Sequence, residues 1–205
     1  MEERKCIAIF GGAFNPPLNS HLEIAKEVLR TCSNVEKVIF VPVNSKYNKE
    51  GLVSNEHRYN MIKILCKNNE DLLLSTIELD SNRPLYTIET LEHMQLEYMN
   101  HDICLLMGSD NLKELAEWKE AERLVNEFKI IVVKRGFDNI GEIIKEDSLL
   151  NNYQENFIKM ENNKYEEFNS TNVRDMIKKG EDISSFMPVE ILEYIKENKL
   201  YIEGE

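Results

Sequence analysis

The chain predicts an α/β domain built on a doubly wound parallel sheet, with helices on both faces and further helices towards its C-terminal end. Three observations predict it. Short apolar runs recur along the chain, separated by stretches whose apolar residues fall at helical spacing. These runs lack a polar alternation, as strands covered on both faces should. The first of them, Ile7-Ala8-Ile9-Phe10, meets Gly11-Gly12 and then Pro16-Pro17 before a helix begins, which spells a strand, a glycine turn, a rigid corner and a helix start. The 205 residues suffice for one core, and 1–205 read as one domain whose helical part covers about 169–205.

Taken in order, Cys6 to Phe10 is the first strand. Leu22, Ala25, Val28 and Leu29 mark one face of a following helix, and Ser20-x-x-Glu23 spells a capping box for its start. Lys37 to Val43 is the second strand and Leu72 to Ile77 the third, with a helix near Asn55 to Cys66 between them. A helix over Thr87 to Tyr98 precedes the strand Asp102 to Met107, and Lys129 to Val133 is a further strand. The polar stretch Asp138 to Tyr165 predicts a loose helix over Ile140 to Leu150 and a short strand near Phe157. Helices over Asn172 to Lys179 and Pro188 to Glu197 close the chain, Pro188 as a first-turn proline. In such sheets ligands bind beyond the carboxyl ends of the strands, so the loops after Gly11, Pro42 and Gly108 should converge.

Lys plus Arg number 25 and Asp plus Glu 37, a formal charge of −12. That balance argues against a nucleic-acid partner. No apolar run approaches 18 residues and no signal core follows Met1, which predicts a cytoplasmic protein with no membrane partner. Cys6, Cys32, Cys66 and Cys104 are scattered, and Cys6 and Cys104 read as small buried residues in a reducing compartment.

Gly11-Gly12-Ala13-Phe14-Asn15-Pro16-Pro17-Leu18-Asn19-Ser20-His21 resembles the G-G-[ST]-F-[DN]-P-x-H-x-G-H signature of the H-x-G-H and T-x-G-H nucleotidyltransferases, with their Rossmann-like fold. Leu18 stands where the first histidine or threonine belongs, and Ser20 where the glycine belongs. Later segments are similar to the nicotinate-nucleotide adenylyltransferase branch of that superfamily. They are Tyr86-Thr87-Ile88-Glu89-Thr90-Leu91, Gly108-Ser109-Asp110 with Trp118, Val133-Lys134-Arg135, Ser170-Thr171-Asn172-Val173-Arg174, and the closing run from Glu193 to Tyr201. The resemblance spans about Ile7 to Tyr201.

It implies ATP-dependent adenylyl transfer to nicotinate mononucleotide in NAD synthesis, with Mg2+ escorting the triphosphate and no metal held by protein side chains alone. It further implies that His21, Lys49 and Arg174 stabilise charge. ATP would lie on Gly11, Gly12, Ala13, Phe14, Asn15, His21, Gly108, Asp110, Ser170, Thr171 and Arg174, and the second substrate on Tyr86, Thr87, Asp110 and Trp118. Ser170 or Thr171 also reads as an ordinary helix cap. Leucine donates no side-chain hydrogen bond, so Leu18→His is expected to raise turnover. The altered motif keeps a non-catalytic nucleotide-binding paralogue open, as well as an enzyme acting on another phosphate. Oligomeric state, including a homo-oligomer, is not legible.

Overall fold

The computed structural model describes residues 4–46, 51–161 and 169–202. Strand β1 (Cys6–Gly12) leads to α1 (Asn19–Thr31), β2 (Val35–Pro42), α2 (Asn55–Cys66), β3 (Leu72–Leu74) and α3 (Thr87–Glu97). There follow β4 (Asp102–Gly108), a single turn α4 (Ser109–Leu112), α5 (Ala121–Glu127), β5 (Lys129–Val133), α6 (Ile140–Glu146), α7 (Ser148–Asn152) and β6 (Phe157–Met160). Helices α8 (Ser170–Lys179) and α9 (Val189–Glu197) complete the described elements. Every strand pair is parallel, in the order β3-β2-β1-β4-β5-β6. The winding reverses between β1 and β4, which opens a crevice at their carboxyl ends.

The strands are apolar throughout because both faces are covered, and their period of two sorts the side chains between two cores. Ala8, Phe10, Val38, Phe40, Leu106 and Ile131 face one side, against α1, α2, α8 and α9. Ile7, Ile9, Ile39, Val41, Leu105 and Ile130 face the other, against α3 and the α4–α7 helices. The doubly wound expectation therefore holds strand by strand.

Several local expectations are corrected. Gly11 and Gly12 do not make the turn. They continue β1, paired with Val41 and Pro42 of β2, and the left-handed step falls at Phe14, with φ 46°. Helix α1 begins at Asn19, so Ser20 lies inside its first turn and caps nothing; Leu18 occupies the cap position. Strand β3 stops at Leu74 because the next residues fold back around Asn44, whose amide donates to the carbonyls of Glu78 (2.9 Å), Leu79 (3.2 Å) and Ser81 (2.8 Å). The helix expected over Ile140 to Leu150 breaks at Asp147, which turns extended and caps α7 by accepting from the Leu150 N–H at 3.0 Å. Asn169, rather than Ser170 or Thr171, caps α8, and Pro188 caps α9 from outside its first turn. Cys6 and Cys104 are buried as expected but joined as a disulfide, because neighbouring strands point both side chains into the same core.

Candidate functional site

The site forms where β1 and β4 end. After Gly12 the chain runs through Ala13 and Phe14 to a cis Asn15–Pro16 bond, then rises into α1. A side chain at Gly12 would press on the Phe14 ring at 3.0 Å, so this glycine makes room for an aromatic anchor. Phe14 is buried, edge-on to Phe10, Phe40 and His21 at centroid distances of 5.5, 5.4 and 5.1 Å.

His21 lies in the first turn of α1. Its Nδ1 accepts the Leu18 N–H at 2.9 Å, so the single proton of the neutral ring sits on Nε2. Burial pushes its pKa down to about 3, and the charge of Arg135 adds to the shift. At neutral pH His21 is thus an uncharged donor rather than a cation. Leu18 is 2 % exposed, and its isobutyl group belongs to the core beneath α1.

The C-terminal helices grip this loop. Arg174 donates from Nη1 to the Asn15 carbonyl (2.8 Å) and from Nη2 to Thr171 Oγ1 (3.2 Å), while Ser170 Oγ donates to the Pro16 carbonyl (2.9 Å). The Asn15 side chain is turned inward. Its Nδ2 donates to Gly51 O (2.7 Å), and its Oδ1 accepts from the Val53 N–H (3.2 Å) and the Tyr201 hydroxyl (2.9 Å). What Asn15 leaves for a ligand is backbone. Lys49 lies outside the described residues.

Across the crevice, Gly108 ends β4. A Cβ there would collide with Asp110 and sit 2.8 Å from Arg135 Nε, so the close packing of an acid and a base requires glycine. Asp110 Oδ1 is 3.6 Å from Arg135 Nε. That Nε is buried and has no hydrogen-bond partner. Ser109 Oγ accepts from the Arg135 N–H (2.8 Å) and donates to Asp138 (2.8 Å), and Lys113 closes the set on Asp138 at 2.6 Å. Arg135 thus packs against the Gly108–Asp110 turn, and its charge bears on His21. It was visible in Val133-Lys134-Arg135, but spacing alone assigns it no task.

Tyr86 and Thr87 lie at the start of α3, Tyr86 about half exposed. The Tyr86 N–H is already held by Glu89 Oε2 (2.8 Å). Trp118 packs in part against the core on the same side of the sheet as α3. No contact joins Trp118 to Tyr86 or Thr87 among those described, and Asp110, the fourth residue of that set, lies in the turn after β4.

One buried network went unread in the sequence. Arg58, wholly buried, donates to Val53 O (3.2 Å), Ala13 O (3.3 Å) and Asn55 Oδ1 (2.7 Å). Asn55 in turn donates to Leu79 O (3.1 Å), and Thr90 Oγ1 of α3 donates to Glu78 Oε1 (2.7 Å). Burial pushes Glu78 up to about 7, against the opposing pull of Thr90 and Arg58. A signal existed: Arg58 shares a helical face with Met61, Ile62 and Leu65, where a surface arginine has no place. Among the described residues no group of three or more His, Cys, Asp or Glu side chains could hold a metal ion.

Residues 9–176 match the cytidylyltransferase-like family model. A Carboxydothermus hydrogenoformans protein named "Probable nicotinate-nucleotide adenylyltransferase" is 32 % identical over 197 residues, covering 95 % of this chain and 97 % of its own. A Clostridium acetobutylicum protein of the same name is also 32 % identical, over 95 % of this chain and 98 % of its own. Among solved structures, the Plasmodium falciparum nicotinic acid mononucleotide adenylyltransferase complexed with NaAD superposes with a TM-score of 0.79 at 23 % identity, over 96 % of this chain and 97 % of that one. At that identity the likeness speaks for the fold, and the sequence matches speak for the lineage. The chain belongs to the cytidylyltransferase-like family and, within it, to the nicotinate-nucleotide adenylyltransferases.

Proposed function

We propose that this chain joins ATP and nicotinate mononucleotide into the deamido dinucleotide of NAD synthesis, releasing pyrophosphate. A phosphate oxygen of the mononucleotide attacks the α-phosphorus of ATP. The new P–O bond forms as the bond to the bridging oxygen of pyrophosphate breaks. The nucleophile is already an anion at neutral pH, so the residues align reactants and absorb leaving-group charge.

The observation that carries this reading is the meeting of His21 and Arg174 on the Phe14–Asn15 segment, with Arg135 close enough to bear on His21, in a chain of this family. His21 offers Nε2–H to a phosphate oxygen without bringing charge. Arg174 and Arg135 supply the charge, and Arg135 has a buried Nε–H still to give. The backbone of Gly11 to Asn15 forms the floor for ATP, together with Gly108, Asp110, Ser170 and Thr171. Tyr86, Thr87, Asp110 and Trp118 shape the pocket for the pyridine ring, and Lys49 is the further cation of the loop after β2.

Mg2+ would enter with the triphosphate as part of that substrate and would supply charge neutralisation at the leaving pyrophosphate. Both substrates are charged and do not cross membranes unaided, which supports a cytoplasmic setting. No described helix is long and apolar enough to span a membrane.

The test is dinucleotide formation from ATP, Mg2+ and nicotinate mononucleotide. The wild-type chain is expected to form product, and His21→Ala and Arg174→Ala each to lose about 10²–10³-fold in kcat, the scale of one transition-state donor. Binding of both substrates by the wild-type chain without product would replace this reading with a nucleotide-binding paralogue.

A further inference from the structure

Residues 199–201 follow α9 and bring Tyr201 to the nucleotide loop. Lys199 and Tyr201 both take left-handed backbone, at φ 52° and 64°, which side chains with a Cβ rarely adopt. Leu200, between them, is buried in the core and anchors the bend. Strain of this kind persists only where surrounding contacts over-determine it. Its effect here is to lay the Tyr201 hydroxyl 2.9 Å from Asn15 Oδ1.

Asn15 is the junction of the site. Its backbone carbonyl holds Arg174, its amide ties Gly51 and Val53, and its peptide leads into the proline corner below His21. Oδ1 has two acceptor positions, and Val53 fills one only at 3.2 Å. Tyr201 fills the other at the shorter distance. Burial holds the phenol above its usual range, so at neutral pH the oxygen keeps its proton and donates.

We propose that Tyr201 is a positioning residue for ATP, acting through Asn15 to set the loop that receives the triphosphate. The inference rests on the reading of Gly11 to Asn15 as the ATP floor. The hydrogen bond described for Tyr201 goes to Asn15, and no described contact joins it to the start of α3, on the nicotinate side of the crevice.

Tyr201→Phe removes one oxygen and leaves every other partner of Asn15 in place. Binding of Mg2+-ATP and of nicotinate mononucleotide is measured separately by calorimetry, alongside the thermal midpoint. The expected result is ATP affinity weaker by about three- to tenfold, the scale of one neutral hydrogen bond, with mononucleotide affinity unchanged within about twofold. In an Asn15→Ser background, where the side chain is too short to reach Tyr201, adding Tyr201→Phe is expected to weaken ATP no further. Unchanged ATP affinity in the single variant overturns the proposal. So does equal weakening of both substrates with a fallen midpoint, which marks a purely structural tyrosine, and so do additive effects in the double variant. Should Asn15→Ser not fold, the single variant decides alone. A wild-type chain that binds no ATP removes the reading of the loop and this inference with it, whereas normal wild-type binding beside a silent Tyr201→Phe removes this inference only.

Discussion

His21 and Leu18 each depart from what their places in the motif suggest. The resemblance makes the histidine a stabiliser of phosphate charge, and its ring, pressed among Phe10 and Phe14, is kept neutral. Its folded pKa, about 3, lies below the unfolded value near 6.5. Between those two values the unfolded chain binds the extra proton, so this residue favours folding fully above about pH 6.5 and less as pH falls. The ring resonances of His21 are therefore expected to titrate only at the acid end, with no inflection near 6.5; a midpoint above 6 would contradict the neutral-donor role. Leu18 reads as a missing donor, yet its side chain is core. Leu18→Ala is expected to cost about 2–5 kcal/mol in chemical denaturation, as buried leucines do. Leu18→His buries a polar ring in the same place and is expected to lower stability too, so its turnover is to be compared at equal folded fraction. Side-chain direction is what the one-dimensional motif lacks. The G-G-x-F-x-P pattern locates the loop, but only packing turns Leu18 and the Asn15 amide inward.

Strands and long helices were legible because their apolar periods are set by covered faces. Lys129 to Val133 and Asn55 to Cys66 agree with expectation at both ends. Ends decided by a single distant partner were not. Asn169 wins the cap of α8 because its side chain reaches the Asn172 N–H at 3.0 Å, while Ser170 is drawn away to Pro16. Asn169→Ala should cost about 1 kcal/mol, typical of a lost N-cap, and should raise the KM for ATP by loosening the turn that carries Arg174; thermal melts and steady-state kinetics check both. Gly108 is the matching case at the end of β4. Gly108→Ala places a methyl where Asp110 and Arg135 already meet, and is expected to destabilise by about 1–3 kcal/mol and to cut kcat/KM by displacing Arg135.

At the scale of the molecule, the buried polar chain from Ala13 through Arg58, Asn55 and the Glu78 turn to Thr90 links the nucleotide loop to α3. It also sets a pH dependence. Glu78 has a folded pKa of about 7, above the ordinary 4.5, so the folded chain holds a proton that the unfolded chain has lost between those values. Stability from this group is present below about pH 4.5 and drains as pH rises towards 7, the reverse of the His21 effect. The shift corresponds to about 3 kcal/mol at full ionisation. Glu78→Gln keeps an acceptor for Thr90 and should gain on the wild type progressively from pH 5 to 8; parallel melting curves across that range would contradict it.

The sequence by itself determined the α/β class, the two-sided burial of the strands, the crevice at the strand ends and the family, since these follow from local period and from residues adjacent in the chain. Tertiary structure alone decided which motif residues face the crevice. It joined Cys6 to Cys104, set Arg58 against Ala13, and brought Tyr201 to Asn15 across 186 positions. Periodicity reports which face of an element is apolar. It carries no record of which distant partner satisfies a buried polar atom, and burial makes such partners obligatory.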